Sequence, residues 1–361
     1  MQLDFKKAPI FNGHMLSGSS PLLLWRLLKD NQFAISPRFV PRFLLAFLLT
    51  VLNWPISVIE NLLFRKKINN TKVQSPVFIL GYPRSGTTYL YYLLSRDPQF
   101  AFLKTHEAMA PRVIFLFGKV MQWIASMALP KSRPMDNLEM GANMPKEAEF
   151  AMANLGIASL AHGYYFPRNF LAYFKKYVLF DGDWKDKEAW QSNFLYLMKK
   201  LTLANNGKRL VVKSPFDTAR VAAILELFPD AKFIYLERDP VAVFASNQKL
   251  FASILPLISL QEVKEDHIEQ IIFESYKATT REFQQQKTSI PEGNLVAIQY
   301  EDFIQDQEKT LSTIYQRLDL GDFDKALPFI QKEMRQYQHY QKNRYEMEED
   351  RVAWVRRKMG D

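Results

Sequence analysis

The sequence contains no cysteine among its 361 residues. That absence removes disulfides, thiolate zinc sites, iron–sulfur ligation and cysteine nucleophiles at once, and it fits a reducing compartment. Histidine is scarce as well. The five residues His14, His106, His162, His267 and His339 include no HExxH run and no pair four apart, so no metal site is expected. The first twenty residues lack a continuous apolar core behind a basic start, so no cleavable signal peptide is expected either. No internal repeat or low-complexity tract interrupts the chain. What is present is ordinary globular composition, 48% hydrophobic and 24% charged, which excludes an intrinsically disordered, collagen-like or polytopic membrane protein.

Charge is unevenly placed. Lys and Arg number 47 against 38 acids, a formal net charge of +9, and such a balance favours an anionic partner: nucleic acid, a phosphorylated cofactor or an acidic membrane surface. Residues 1–75 hold ten of the cations and three of the acids, +7, which leaves +2 for the rest. The excess flanks Phe43–Ile59 (FLLAFLLTVLNWPISVI), which runs 17 residues without a charge between Arg42 and Glu60 and precedes Arg65, Lys66 and Lys67. The basic balance therefore reads as a segment resting at an acidic membrane surface, with no nucleic-acid partner, and as placement in the cytoplasm or at the cytoplasmic face of a membrane. Seventeen residues is the lower limit for a spanning helix, and Asn53 with Pro55 is expected to interrupt it. Three readings stay open: a helix packed on the protein's own body, an in-plane anchor, or a single span.

From Pro76 onward, short β-rich runs alternate with helical stretches, the pattern of an α/β domain with a largely parallel sheet. Strands are expected at Val77–Leu80, Leu210–Val212, Lys232–Leu236 and Leu295–Gln299. Residues 1–75 form a basic, helical N-terminal segment, and 76–361 the main domain. Within it, 109–200 is an aromatic-rich insertion expected to be a helical cap. Open parallel sheets bind ligands at the C-terminal ends of their strands. At the end of the first strand stands Gly81-Tyr82-Pro83-Arg84-Ser85-Gly86-Thr87-Thr88, followed by an apolar helix. Backbone N–H groups at such a turn and the positive end of the helix dipole form an anion cradle, to which Ser85, Thr87 and Thr88 add hydroxyls. The loop departs from a Walker A sequence: Thr87 stands where a nucleoside triphosphatase carries Lys, and the cation is inside the loop as Arg84.

Pro-Arg-Ser-Gly-Thr-Thr between a strand and a helix resembles the 5′-phosphosulfate loop of the sulfotransferase family, whose members use 3′-phosphoadenosine 5′-phosphosulfate (PAPS) and release 3′,5′-adenosine bisphosphate. The resemblance implies a P-loop-like parallel sheet flanked by helices, with 76–361 as the sulfotransferase domain. It assigns the loop residues Arg84, Ser85, Gly86, Thr87 and Thr88 to the cofactor. A second motif agrees with it. Arg238 follows the strand Lys232–Leu236 and Ser246 comes eight residues later, the pair that grips the 3′-phosphate in the family; Arg offers a planar fork to phosphate oxygens. Tyr300, in Tyr300-Glu301-Asp302, matches a family tyrosine near the nucleotide. Lys213 matches the lysine near the transferring group, where a cation would stabilise the leaving oxygen.

The proton acceptor is less plainly marked. Lys104-Thr105-His106 imitates the Lys-Thr-His motif of cytosolic sulfotransferases, but that motif ends the strand before the 3′-phosphate strand, a place held in this chain by Val211-Val212-Lys213-Ser214-Pro215. Protein and carbohydrate sulfotransferases, closer in motif layout, use a Glu downstream of the loop cation, and Glu107, 23 residues beyond Arg84, fits. Glu107 is the preferred base and His106 the alternative, with Glu147 and Glu149 further off; a carboxylate at a helix start also has a purely structural role, stabilised by the dipole. The expected reaction is sulfuryl transfer to an acceptor hydroxyl, or less readily an amine, of a small-molecule, lipid or glycan acceptor. Competing readings are a P-loop kinase or nucleotide hydrolase, and a catalytically silent membrane-associated nucleotide-binding protein. Oligomeric state is not marked in the sequence.

Overall fold

The computed structural model describes residues 3–10, 13–337 and 347–360, so His339 lies outside the described residues. In chain order the principal elements are α1 (Pro21–Asp30), α2 (Val40–Asn70), β1 (Val77–Leu80), α3 (Thr87–Leu94), β2 (Phe100–Ala101), α4 (Thr105–Met109), α5 (Gly118–Ala128), α6 (Ala148–Leu155), β3 (Arg209–Lys213), β4 (Lys232–Glu237) and β5 (Leu295–Gln299). Packing divides the chain into two compact units, one of residues 72–102, 205–247 and 275–361, the other of residues 1–71, 103–204 and 248–274.

The first of these holds the sheet. Its five strands run parallel in the order β2-β3-β1-β4-β5, so the fold is α/β as expected. Val77 of β1 pairs with Val211 on one side and Lys232 on the other, which makes β1 the central strand. Its sequence, Val-Phe-Ile-Leu, is apolar at every position because both faces are covered. Ile79, Leu90, Leu94, Val211, Ile234 and Leu318 form part of one contiguous core around it. The expected strands appear at the predicted places, β3 one residue longer at each end and β4 one residue longer at its C-terminus. The two-residue β2 is too short to carry a periodicity.

The other unit is helical, and 109–200 contributes most of its helices, including Trp184–Ala204. Among the described residues, two helices are long and apolar enough to cross a membrane, Pro37–Asn70 and Pro240–Ile258. The expected interruption at Asn53 and Pro55 does not occur: α2 runs 31 residues through Pro55. A proline inside a helix forfeits one hydrogen bond and crowds the carbonyl four residues back. Polar anchors on either side of Pro55 oppose that penalty. Arg42, fully buried, donates from Nη1 to the Ser259 carbonyl (2.7 Å) and from Nη2 to the Pro256 carbonyl (2.9 Å). Glu60 pairs with Lys200 at 2.6 Å, neither more than 1% exposed, and its Oε2 also accepts the N–H groups of Phe115 (3.0 Å) and Leu116 (2.8 Å). Burial pulls the Lys200 ammonium below its usual pKa range, while Glu60 opposes the shift.

Removing one partner of a buried ion pair strands the other charge. Glu60→Gln keeps an acceptor for the two amides but leaves Lys200 without a counter-charge; a loss of about 3 kcal/mol is expected in urea unfolding. Acid should act on the same unit through His14. Its Nδ1 accepts the Leu16 N–H (3.1 Å), and its Nε2 lies 2.7 Å from the Ile258 carbonyl, an arrangement that requires a neutral ring. Burial, the main cause, pushes its pKa down to about 4. Since the unfolded chain binds this proton more readily, stability is held above the unfolded value near 6.5 and lost as pH falls towards 4. Between pH 7 and pH 5 His14 should account for about 2 kcal/mol of the loss, and His162, which burial likewise lowers to about 4, for a similar share; His14→Asn should remove only the first, as read from urea midpoints.

Candidate active site

The sheet order sets β3, β1, β4 and β5 side by side, and the C-terminal end of each delivers one part of the site. After β1 the chain turns at once. Gly81 has φ +135°, and a Cβ there would lie 2.5 Å from the Leu236 carbonyl oxygen of neighbouring β4, so only glycine fits. Its N–H donates to Thr218 Oγ1 at 2.8 Å. Arg84 follows with φ +75° and Gly86 with φ +92°. A left-handed arginine is strained, and such strain gathers where backbone amides must be aimed. Here it precedes α3, where the Tyr89 N–H donates to the Gly86 carbonyl (3.1 Å) while the N–H groups of Thr87 and Thr88 come before any intrahelical acceptor. Ser85 and Thr87 are buried beside it.

Side chains from the neighbouring strands close on this loop. Arg238, just after β4, donates from Nη1 to the Arg84 carbonyl (2.9 Å), and its guanidinium lies 4.4 Å from the centre of the Tyr300 ring, which follows β5. The Tyr300 ring in turn covers Gly86 so closely that a Cβ there would run into it. Arg84 Nε donates to Ser246 Oγ at 2.9 Å, and Lys213 Nζ, at the end of β3, to Thr88 Oγ1 at 3.2 Å. Every predicted cofactor residue, together with Lys213, is thus brought into one connected set. Arg238 Nε is buried with no hydrogen-bond partner, and so are Ser214 Oγ and Thr279 Oγ1. Tyr82, Ser85, Thr218, Arg238, Tyr276 and Thr279 line a hollow at this place. A cluster of donors around a backbone cradle, with a buried guanidinium N–H left over, has the chemistry of a site for phosphate-type anions.

His106 and Glu107 belong to the helical unit, on α4. Glu107 occupies the third position of that helix, where its Oε2 accepts the Lys104 N–H at 2.9 Å while Oε1 lies 3.9 Å from Lys104 Nζ. This is the capping contact that a carboxylate makes at a helix start. His106 Nδ1 lies 2.9 Å from the Ala142 carbonyl, and the ring is buried. Glu149 lies on α6, with Oε1 accepting from Ser159 Oγ (2.8 Å) and the Leu160 N–H (2.6 Å).

Two residues that hold the loop were not singled out in the sequence. Asn247 Nδ2 donates to the Pro83 carbonyl (2.9 Å) and to the Val243 carbonyl (2.8 Å), fixing the loop from the helix that carries Ser246. An amide in an apolar helix, directly after Ser246, was the available signal. Thr218 has no such signal, since it reaches Gly81 only through the 3-10 turn Pro215–Ala219.

Known proteins resemble the chain over most of its length. It is 27% identical over 340 residues, 93% of this chain and 86% of the relative, to omega-hydroxy-beta-dihydromenaquinone-9 sulfotransferase Stf3 of Mycobacterium bovis and of Mycobacterium tuberculosis. Among solved structures, sulfotransferase STF1 of Mycobacterium tuberculosis superposes with a TM-score of 0.66 at 17% identity, covering 99% of this chain and 93% of that one. STF9 of Mycobacterium avium gives 0.64 at 18%, covering 99% and 87%. These two share the fold. A model of the sulfotransferase family matches residues 76–325, more than half of the chain and all of the strands and loops that build the anion cradle, so the protein belongs to the sulfotransferase family and is an enzyme.

Proposed function

We propose that the enzyme transfers a sulfuryl group from PAPS to the hydroxyl of a lipid-like acceptor. The observation that carries the donor half is the connected set Arg84–Ser246–Arg238–Tyr300 around the cradle, with the partnerless Arg238 Nε at its edge. When bound, PAPS supplies a sulfuryl group activated by its anhydride link to phosphate. The backbone N–H groups of the loop and the hydroxyls of Ser85, Thr87 and Thr88 would hold the 5′-phosphate. Arg84 and Lys213 would neutralise charge that builds on the leaving oxygen, and Arg238 with Ser246 would hold the 3′-phosphate. The Tyr300 ring, its centre 4.4 Å from the Arg238 guanidinium, attracts that cation and helps hold it in place.

Glu107 is assigned as the base that takes the acceptor proton, on Oε1, because Oε2 is engaged by the Lys104 N–H. The Lys104 ammonium lies 3.9 Å from Oε1. His106 is the alternative, with Nε2 as the receiving atom, since Nδ1 faces a carbonyl. The acceptor half rests on the named substrate of the 27%-identical relatives, a menaquinone derivative with an omega-hydroxyl. A terminal hydroxyl on a hydrophobic chain is the acceptor class to try first. The cysteine-free sequence and its basic first 75 residues support placement at the cytoplasmic face of a membrane.

Thermal unfolding tests the donor. 3′,5′-Adenosine bisphosphate should raise the melting temperature, Mg-ATP should not, and Arg238→Ala should abolish the increase; stabilisation by Mg-ATP alone refutes the assignment. Turnover tests the base. Arg84→Ala and Glu107→Ala should each lower the rate from PAPS by about 100- to 10,000-fold with the fold intact by circular dichroism. Full activity in Glu107→Ala, with loss in His106→Ala, transfers the role to His106.

A further inference from the structure

The long helix α2 has its polarity reversed. A helix on the surface of a soluble protein turns its apolar stripe inward and its polar residues to water. On α2 the buried positions include Arg42, Thr50, Ser57 and Glu60, while Leu44, Leu48, Leu52, Ile59, Leu62 and Leu63 are between 51% and 73% exposed. The inward polar groups find partners within the helical unit: Arg42 Nη1 and Nη2 in backbone carbonyls, Thr50 Oγ1 in the Leu16 carbonyl (3.0 Å), Glu60 in Lys200. The exposed stripe continues on α5. There Val120, Trp123 and Met127, spaced three and four apart, share one face and are exposed, as is Leu116 in the turn before the helix. The Glu60 carboxylate ties α2 to the turn that leads into α5 by accepting the Leu116 N–H, and Phe64 stacks on Phe115 at 4.4 Å. On α1, Trp25 is exposed as well.

We propose that this face docks on an anionic lipid bilayer, with α2 lying in the plane of one leaflet. Charge identifies the occupant. The apolar stripe ends in Arg65, Lys66 and Lys67, all exposed, and α1 adds exposed Arg26 and Lys29, so cations rim the apolar surface as in interfacial helices. Tryptophan at Trp25 and Trp123 suits the headgroup level. The same anchors exclude a span. Threading α2 across the bilayer would pull Arg42 and Glu60 into hydrocarbon and leave Lys200 buried with no counter-charge. The proposal deepens the reading of a lipid acceptor, by bringing the enzyme to the phase that dissolves it. Its test involves neither PAPS nor turnover, so either idea can fail alone.

The full chain should sediment with vesicles of phosphatidylglycerol and phosphatidylcholine, and more weakly with phosphatidylcholine alone. Leu48→Ser, Leu52→Ser and Leu63→Ser combined should lower vesicle affinity by about 100-fold. These side chains face outward, and an unchanged circular dichroism spectrum will certify the fold. Unchanged vesicle binding by the triple variant overturns the proposal, as does dimerisation through this face without vesicle binding, read by light scattering. Depth separates the remaining geometries. Because the chain has no cysteine, Leu44→Cys, Leu52→Cys and Leu62→Cys can each carry one fluorophore. Brominated lipids should quench all three from the same shallow depth. A graded depth over about 27 Å from position 44 to 62, the rise of a perpendicular helix, would show a span and overturn it.

Discussion

The sheet unit depends on how closely β1 can end against its neighbours. Gly81 leaves the strand beside the Leu236 carbonyl, and Gly86 starts α3 beneath the Tyr300 ring; at neither place is there room for a side chain. Between them the chain must reverse within a few residues, which forces Arg84 into the left-handed region. Arg238 then takes the Arg84 carbonyl that this turn exposes. Strand end, strained arginine and stacked tyrosine form one constraint, and the amides of the cradle are aimed as its result.

Glu60 plays the corresponding part in the helical unit. One carboxylate meets an ammonium and two backbone amides, and so ties α2, the start of α5 and the helix Trp184–Ala204 together. Such a group is costly to bury alone and strongly held when fully partnered. It explains why a helix of mostly exposed leucines keeps one orientation, and why Pro55 does not break it.

The parallel sheet and the residues that gather around the loop were legible because each rests on a short local pattern. β1, β4 and β5 are apolar runs ending in a distinctive residue, and Arg84, Arg238 and Ser246 lie at fixed offsets from those ends. What escaped depends on partners distant in sequence. Glu60 looks like the charge that closes an apolar stretch until Lys200 is seen opposite it, and Asn247 looks like any helical amide until the Pro83 carbonyl appears. The expected break at Pro55 failed for the same reason: local propensity was outweighed by anchors supplied from residues Pro256 and Ser259. Glu107 was legible as a carboxylate at a helix start, and its bond to the Lys104 N–H is what that position ordinarily provides.

The contact between Arg84 Nε and Ser246 Oγ has a bearing on timing. An arginine free in solvent would have to be ordered by each arriving anion, at a cost of about 2 kcal/mol in rotamer freedom. In this protein the hydroxyl already holds the guanidinium in the loop, so that ordering is completed during folding and recurs in no catalytic cycle. A loop built this way can let go of a bound anion without first rebuilding itself.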